Sequence, residues 1–236
     1  MKLAIMQPYF LPYIGYFQLM AAADRFVIYD DVNFIKGGWI NRNRILLNGK
    51  EHPFVIPLRA ASPNRRINEI SLISGMGWRE KLLRTFRHAY HQARQFPAVF
   101  PLISTIVNFR EESLAEYLLH SLRLIKSYLA IRTELVPTSG SYGNESLKGQ
   151  ARVLDICRRE KASVYLNLSG GKELYDPERF QANGIALRFL GPPEISYDQF
   201  GGPFRPNLSI IDVLMFNPVE KIQSWLFGFT AKVGES

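Results

Sequence analysis

Residues 2–31, KLAIMQPYFLPYIGYFQLMAAADRFVIYDD, decide the fold. Lys2 to Met6 is a short, almost continuous apolar run, which suits a buried strand. Gln7-Pro8 stops it, and Pro12 and Gly15 mark the stretch from Tyr9 to Tyr16 as a loop. Phe17 to Ala23 has the composition of a helix, and Asp24 ends it. Arg25 to Tyr29 reads as a second strand, closed by Asp30-Asp31. Strand, loop, helix and strand within about thirty residues make a compact βαβ unit, the start of a parallel sheet.

The rest of the chain extends this unit. Asn48-Gly49 signals a type I′ turn, and hence a hairpin, between residues 39–48 and 52–58. Residues 60–68 read as a polar loop and 70–73 as a short strand. Trp78, Leu82 and Phe86 share one helical face; Leu114, Tyr117, Leu118, Leu122, Ile125 and Leu129 form a second stripe, a helix over about 111–130. A strand at 133–136, a helix over about 146–161 and a strand at 164–167 follow. Asp176-Pro177 then opens a short helix with an acidic N-cap, and 185–190 reads as another strand. Residues 191–206, with Gly191, Pro192, Pro193, Gly201, Gly202, Pro203 and Pro206, form a long irregular loop before helices at about 208–216 and 218–227. The expected fold is α/β: a Rossmann-like parallel sheet layer with helices, a helical middle segment and a helical C-terminus. It is read as one domain over 1–236, with sub-layers 1–75, 76–131 and 132–236.

Composition narrows the function classes. A 47% hydrophobic and 21% charged chain is neither wholly disordered nor collagen-like. The lone Cys157 rules out a disulfide framework and a Cys-rich zinc module, and it reads as a core thiol. The apolar run after Met1-Lys2 is too short for a signal peptide and no run reaches about 18 apolar residues, so a soluble, cytoplasmic protein with no transmembrane segment is expected. His52, His88, His91 and His120 fall outside the candidate loops, and there is no Gly-x-Ser-x-Gly elbow. A Ser-His-Asp or Cys-His mechanism is therefore poorly supported, and no metal-ligand set is assigned. The net charge of +8 points to an anionic partner. The basic residues of 79–94 and 152–161 are expected on solvated helix faces, which leaves Lys36, Arg42, Arg44 and Lys172 beside strand ends.

Three segments could hold a ligand, each just past a strand, where open α/β sheets bind. The loop from Gln7 to Tyr16 opens a helix with free N–H groups, and Tyr9, Tyr13 and Tyr16 offer aromatic faces and hydroxyls to a base, a sugar or a pantetheine arm. In the second, Asp30 and Asp31 could hold Mg²⁺, act as a general base or accept from ligand hydroxyls. Beside them lie Lys36, Gly37-Gly38, Trp39, Asn41, Arg42 and Arg44, where an arginine can grip phosphate through two parallel hydrogen bonds. The third, Asn167 with Ser169-Gly170-Gly171-Lys172, can form a nest of N–H groups for an anion, though without P-loop spacing. Ser209 to Asp212 has the spacing of a capping box. The Phe10-x-Pro12-x-x-Gly15 loop is also similar to that of nucleotidylyltransferases. Tyr13 and Tyr16 stand where those enzymes have two histidines, so that likeness extends to fold rather than to adenylyl transfer.

The longer pattern is more specific. Gln7-Pro-Tyr-Phe-x-Pro-Tyr-Ile-Gly-Tyr-Phe-Gln18, Asp24-x-Phe-Val-Ile-Tyr-Asp-Asp-Val32, and Lys36 with Trp39-Ile-Asn-Arg-Asn-Arg-Ile45 resemble the WbqC-like family. So do Tyr165-x-Asn167-x-x-Gly170-Gly171, Leu174-Tyr175-Asp176 and Leu208-Ser209-Ile-Ile-Asp212 with Leu214-Met215-x-Asn217. That family occurs with genes for O-antigen and other surface-glycan synthesis. The resemblance implies transfer of an amino-acyl group, glycine among the options, or a similar group onto a sugar amine or hydroxyl. Matched positions are Gln7, Tyr9, Tyr13, Asp30, Asp31, Lys36, Asn41, Arg42, Asn167, Gly170, Gly171, Tyr175, Asp176 and Asp212. Tyr16, Trp39 and Arg44 join them from the residue reading. Asp30 and Asp31 are the expected catalytic carboxylates and the others the substrate-binding set. The implied partners are a phosphorylated or otherwise activated small-molecule donor and a sugar acceptor, with the cofactor unknown. The rivals are a non-catalytic RNA-binding module and a scaffold for glycan enzymes. Nucleic acid stays open, but no RRM, KH or dsRBD signature appears and the paired acids suit an RNA groove badly.

Overall fold

A computed structural model describes residues 1–75, 77–191 and 195–233, with side chains described through residue 228. The first part of the chain runs β1 (Lys2–Met6), α1 (Ile14–Ala22), β2 (Arg25–Ile28), β3 (Arg42–Leu47), β4 (Lys50–Val55), β5 (Leu58–Arg59) and β6 (Ser71–Leu72). Then come α2 (Gly77–Tyr90), α3 (Phe96–Asn108) and α4 (Leu114–Tyr128). It closes with β7 (Glu134–Val136), α5 (Gly149–Arg159), β8 (Val164–Leu168), α6 (Pro177–Ala182), β9 (Ala186–Leu190), α7 (Ile210–Phe216) and α8 (Val219–Val233).

Five strands pair in parallel in the order β7-β2-β1-β8-β9, with Ile5 opposite Val27 and Leu3 opposite Tyr165. Numbered by appearance in this sheet, the order is 3-2-1-4-5, the Rossmann arrangement, and the fold is α/β as expected. Strand alternation explains the near-continuous apolar runs. Ala4, Phe26 and Leu166 face one buried cluster with α1, α4, α7 and α8; Leu3, Ile5, Val27 and Tyr165 face another with α5 and α6. A strand covered on both faces has no polar side to show. Cys157 is fully buried in the second cluster, and burial pushes its thiol up to about 12. Every residue of α1 except Ala21 is buried, because this helix lies between the sheet and α8. A helix apolar all round is stable only in such a place.

The structure corrects several boundaries. α1 begins at Ile14, not Phe17, because Gly15 does not break it. A Cβ on Gly15 would stand 2.5 Å from the Tyr13 ring, so this glycine admits the folded-back tyrosine. The hairpin turn is as read: Asn48 and Gly49 take φ of 51° and 73°, both left-handed, as a type I′ turn requires. α3 was absent from the sequence reading. Pro97 sits in its first turn, where no N–H is needed, and Pro101 lies inside it. Val99, Ile103, Ile106 and Val107 bury one face and outweigh the bond lost at Pro101.

Two cations expected on solvated helix faces are buried instead. The Arg79 guanidinium donates to the carbonyls of Gly75, Val107 and Phe109, so it satisfies the end of α3, where a cation is favoured. Arg152 turns inward to Asp31. The long loop is described from Ile195 onward; Pro192 and Pro193 lie outside the described residues. Among the described residues, no helix is long and apolar enough to cross a membrane.

Candidate functional site

In this topology the crossovers run in opposite directions from β1 and β8, and a crevice opens beyond their carboxyl ends. A cleft of about 730 Å³ lies there. Its floor is Ile5, Met6 and Gln7 at the end of β1 and Asn167 and Leu168 at the end of β8. Tyr9 and Tyr13 form one wall, Tyr29 after β2 a second, and Ser169-Gly170-Gly171 with Leu174 and Tyr175 a third. The segment between β2 and β3 and the hairpin itself bring Ile35, Trp39, Asn43 and Arg44; Gly191 and Asn207 are the remaining described residues of the lining. No aspartate, glutamate, histidine or lysine is among these residues.

Local bonds hold the walls. Leu11 is left-handed at φ 46°, a conformation that a branched side chain rarely takes. Its carbonyl accepts from the Asn43 amide at 2.7 Å and the Ser209 hydroxyl at 2.8 Å, which fixes the bend between β1 and α1. The Phe10 N–H donates to the Ile40 carbonyl at 3.0 Å and so ties this loop to the Trp39 turn. The Tyr13 N–H donates to the Tyr9 hydroxyl at 3.2 Å. On the far wall the Tyr165 and Tyr175 hydroxyls lie 3.0 Å apart, and the Asn167 carboxamide oxygen accepts from the Leu168 N–H at 2.7 Å. A Cβ on Gly171 would stand 3.2 Å from the Asn167 amide nitrogen, so a side chain there would crowd the Asn167 carboxamide.

Burial raises the phenol pKa of Tyr9, Tyr13, Tyr29 and Tyr175. These groups stay protonated at neutral pH and serve as hydrogen-bond partners rather than bases. The Gln7 carboxamide is only partly buried and makes no hydrogen bond among the described residues, so both its ends are available to a ligand. Trp39 is 47% exposed at the mouth. The Arg44 guanidinium lies 5.0 Å from its ring centroid and that of Arg42 5.7 Å.

The two carboxylates expected to be catalytic lie elsewhere. Asp30 accepts from the Thr138 hydroxyl at 2.7 Å and the Ser139 N–H at 3.1 Å, and burial raises its pKa. Asp31 accepts from the Ser139 hydroxyl and pairs with Arg152, the two side chains being 2% and 3% exposed. Arg152 also donates to Asn144, which in turn donates to Asp155. Burial opposes the charge on Arg152, and its bonds to Asp31 and Tyr29 outweigh that, leaving its pKa raised. Neither acid lines the cleft. Tyr29 bridges the two places: the Arg152 guanidinium sits 5.1 Å from the centroid of its ring, and Tyr29 lines the cleft.

Of the other expected residues, Gln7, Tyr9, Tyr13, Trp39, Arg44, Asn167, Gly170, Gly171 and Tyr175 come together in the lining. Tyr16 is wholly buried against Tyr9, Phe17 and Phe26, with its hydroxyl unpartnered. Lys36 is exposed and outside the lining, Asn41 donates to the Ile56 carbonyl at 2.9 Å, and Arg42 stands beside the mouth. Asp176 caps α6 by accepting from the Glu178 N–H at 3.0 Å. Asp212 is fully buried and accepts from Tyr90, Tyr197 and Gln199 at 2.7, 2.7 and 2.6 Å. Its capping box does not form, because the Ser209 N–H donates to the Arg44 carbonyl.

Sequence reasoning passed over Tyr29 and Arg152. Alternation puts Tyr29 on the face of Val27 and just past the strand end, which was a usable signal. Arg152 lies one helical turn before the buried Ile156, and that spacing argued against a solvated position. Among the described residues, no group of three His, Cys, Asp or Glu gathers to hold a metal ion.

Comparison with known proteins agrees with the quoted motifs. The chain is 30% identical over 222 residues to an uncharacterized protein, Rv1507c, of Mycobacterium tuberculosis (strain ATCC 25618 / H37Rv), a match covering 92% of this chain and 93% of the relative. No solved structure gives a significant match. The model of the WbqC-like protein family matches residues 7–224, which takes in the cleft lining from Gln7 onward and the polar network behind Tyr29, and the chain belongs to that family.

Proposed function

We propose that the protein is a cytoplasmic group transferase of O-antigen or other surface-polysaccharide assembly, moving an amino-acyl or related acyl group from an activated donor to a sugar. The observation that carries this reading is the cleft at the β1–β8 switch point, lined by tyrosines and carboxamide side chains and, among the described residues, by no aspartate or glutamate. Such a lining suits a sugar, whose hydroxyls need partners and whose ring faces pack on aromatic walls.

The chemistry then rests on positioning. A neutral sugar amine attacks the acyl carbonyl of the donor; the new C–N bond forms as the bond to the donor's leaving group breaks. The nitrogen's surplus proton leaves to solvent or to that group. Tyr29, held protonated by burial, donates a hydrogen bond to the carbonyl oxygen as it gains charge. Asp31 acts through Arg152, keeping the guanidinium against the Tyr29 ring, and Asp30 holds the Thr138–Ser139 turn alongside. This replaces the expected role of either acid as a general base, since both are occupied by hydrogen bonds in a buried network. Gln7, Asn167 and Tyr175 would orient the sugar.

Turnover is the test. The purified protein is incubated with aminoacyl, acyl-thioester and nucleotide-activated donors and with amino- and hydroxy-sugars, and products are read by mass. A sugar heavier by one acyl or glycyl unit is expected, together with thermal stabilisation by its donor. No mass-shifted sugar and no stabilisation by any donor would leave the scaffold reading in its place.

A further inference from the structure

Charge is distributed unevenly along the cleft. Its depth holds Gln7, Asn167 and phenols that burial keeps uncharged. Arg44 lines its mouth and Arg42 stands beside it, the two being two residues apart on β3 and both against Trp39. Stacking on an indole uses the face of a guanidinium and leaves its N–H edge unsatisfied. In both side chains the Nε–H is buried without a hydrogen-bond partner. Glu51 answers one terminal nitrogen of Arg44 at 2.6 Å, whereas no acid pairs with Arg42 among the described residues. Gly37, left-handed at φ 76°, brings the turn to Arg42 so that even a Cβ there would lie 4.0 Å from a terminal guanidinium nitrogen. Lys36, exposed on the same turn, adds a third positive charge. The buried Nε–H groups are closed to a ligand, but the terminal nitrogens of Arg42 make no hydrogen bond or ion pair among the described residues, and a guanidinium so placed beside a second one suits an oxyanion such as phosphate.

We infer that the sugar enters this cleft as its phosphate or diphosphate ester, ring inward and phosphate at the Arg42–Arg44 mouth. This rests on the transferase reading and names its acceptor. It also places the reaction in sequence. Glycosyl transfer uses the sugar's phosphate as leaving group, so acylation here comes before the step that consumes the activated sugar.

The test is calorimetric titration of the full chain with three probes: glucosamine 1-phosphate, glucosamine and inorganic phosphate. The ester is expected to bind more tightly than either fragment. Arg42→Gln should weaken the ester about ten- to hundredfold and abolish phosphate binding while leaving glucosamine unchanged. Gln7→Ala should weaken the ester and glucosamine and spare phosphate. Lys81→Gln, an equal charge change on the exposed face of α2, should alter none of them. Arg42→Lys, which keeps the charge and loses the fork, should fall between wild type and Arg42→Gln, and it guards against a folding artefact. Equal losses in Arg42→Gln and Lys81→Gln, or glucosamine binding as tightly as its ester, would overturn the inference. So would no binding of ester or phosphate up to about 10 mM. The crossed pattern without any acylated product removes the transferase reading alone. Acylation of unphosphorylated sugar that Arg42→Gln leaves intact removes the inference alone.

Discussion

Two polar regions lie at the carboxyl edge of the same sheet and differ in one respect. Around Asp30, Asp31 and Arg152, the carboxylate and guanidinium groups engage one another or hydroxyls, backbone and carboxamide. Gln7 in the cleft between β1 and β8, and Arg42 beside its mouth, make no side-chain hydrogen bond among the described residues. In the sequence the adjacent acids read as catalytic and the tyrosine loop as ligand-binding. In the structure the acids are hydrogen-bonded in a buried network outside the cleft, while Tyr9 and Tyr13 line it and Tyr16 is buried behind them. A satisfied polar network stabilises and specifies; an unsatisfied one awaits a ligand.

The sharpest way to break this contrast is Arg152→Met. It leaves Asp31 buried and uncompensated, and urea unfolding should show a loss of about 3–5 kcal/mol. Adding Asp31→Asn should restore part of that loss, because the stranded charge is then gone. If Arg152→Met unfolds like wild type, the network is not structural and the contrast fails. Asp212→Asn is next: it turns an acceptor of three bonds into a group that must also donate, and a loss of about 1–3 kcal/mol is expected in the same assay. Gln7→Ala should stay within about 0.5 kcal/mol of wild type in stability while losing sugar binding, the opposite pattern from Arg152→Met.

The smallest effect concerns pH. Burial holds the Asp30 and Asp212 carboxyls above their ordinary range, so the folded chain keeps these protons more tightly than the unfolded one. Their contribution to stability is complete below the ordinary carboxyl range and is lost as pH rises through the raised folded values. Calorimetry across the acidic range should therefore show a shallower decline with rising pH in Asp30→Asn than in wild type. An identical slope would mean that Asp30 does not titrate differently on folding.

Much of this architecture was legible before the structure. The βαβ start and the Asn48-Gly49 turn depend on local sequence, and so does the Asp176-Pro177 helix start. α3 went unread: it carries two prolines, Pro97 and Pro101, and its helical state rests on burying the face of Val99, Ile103, Ile106 and Val107 against the rest of the chain. The lining was partly legible, because strand ends can be read from apolar runs and ligands gather beyond them. What could not be read was which polar groups already had partners. Asp31 finds Arg152 across 121 positions of sequence and Asp212 finds Tyr90 across 122, and no local pattern carries such pairings.

The placement of β1 has a consequence for synthesis. Of the five strands of this sheet it is made first, it lies in the middle, and β2 covers one of its edges almost at once. Its other edge belongs to β8, roughly 160 residues downstream, so a nascent chain presents an open parallel edge until those residues have been made. The same edge ends at the floor of the cleft. Until β8 arrives the pocket has only one side, and a ligand could hasten only the last stage of assembly.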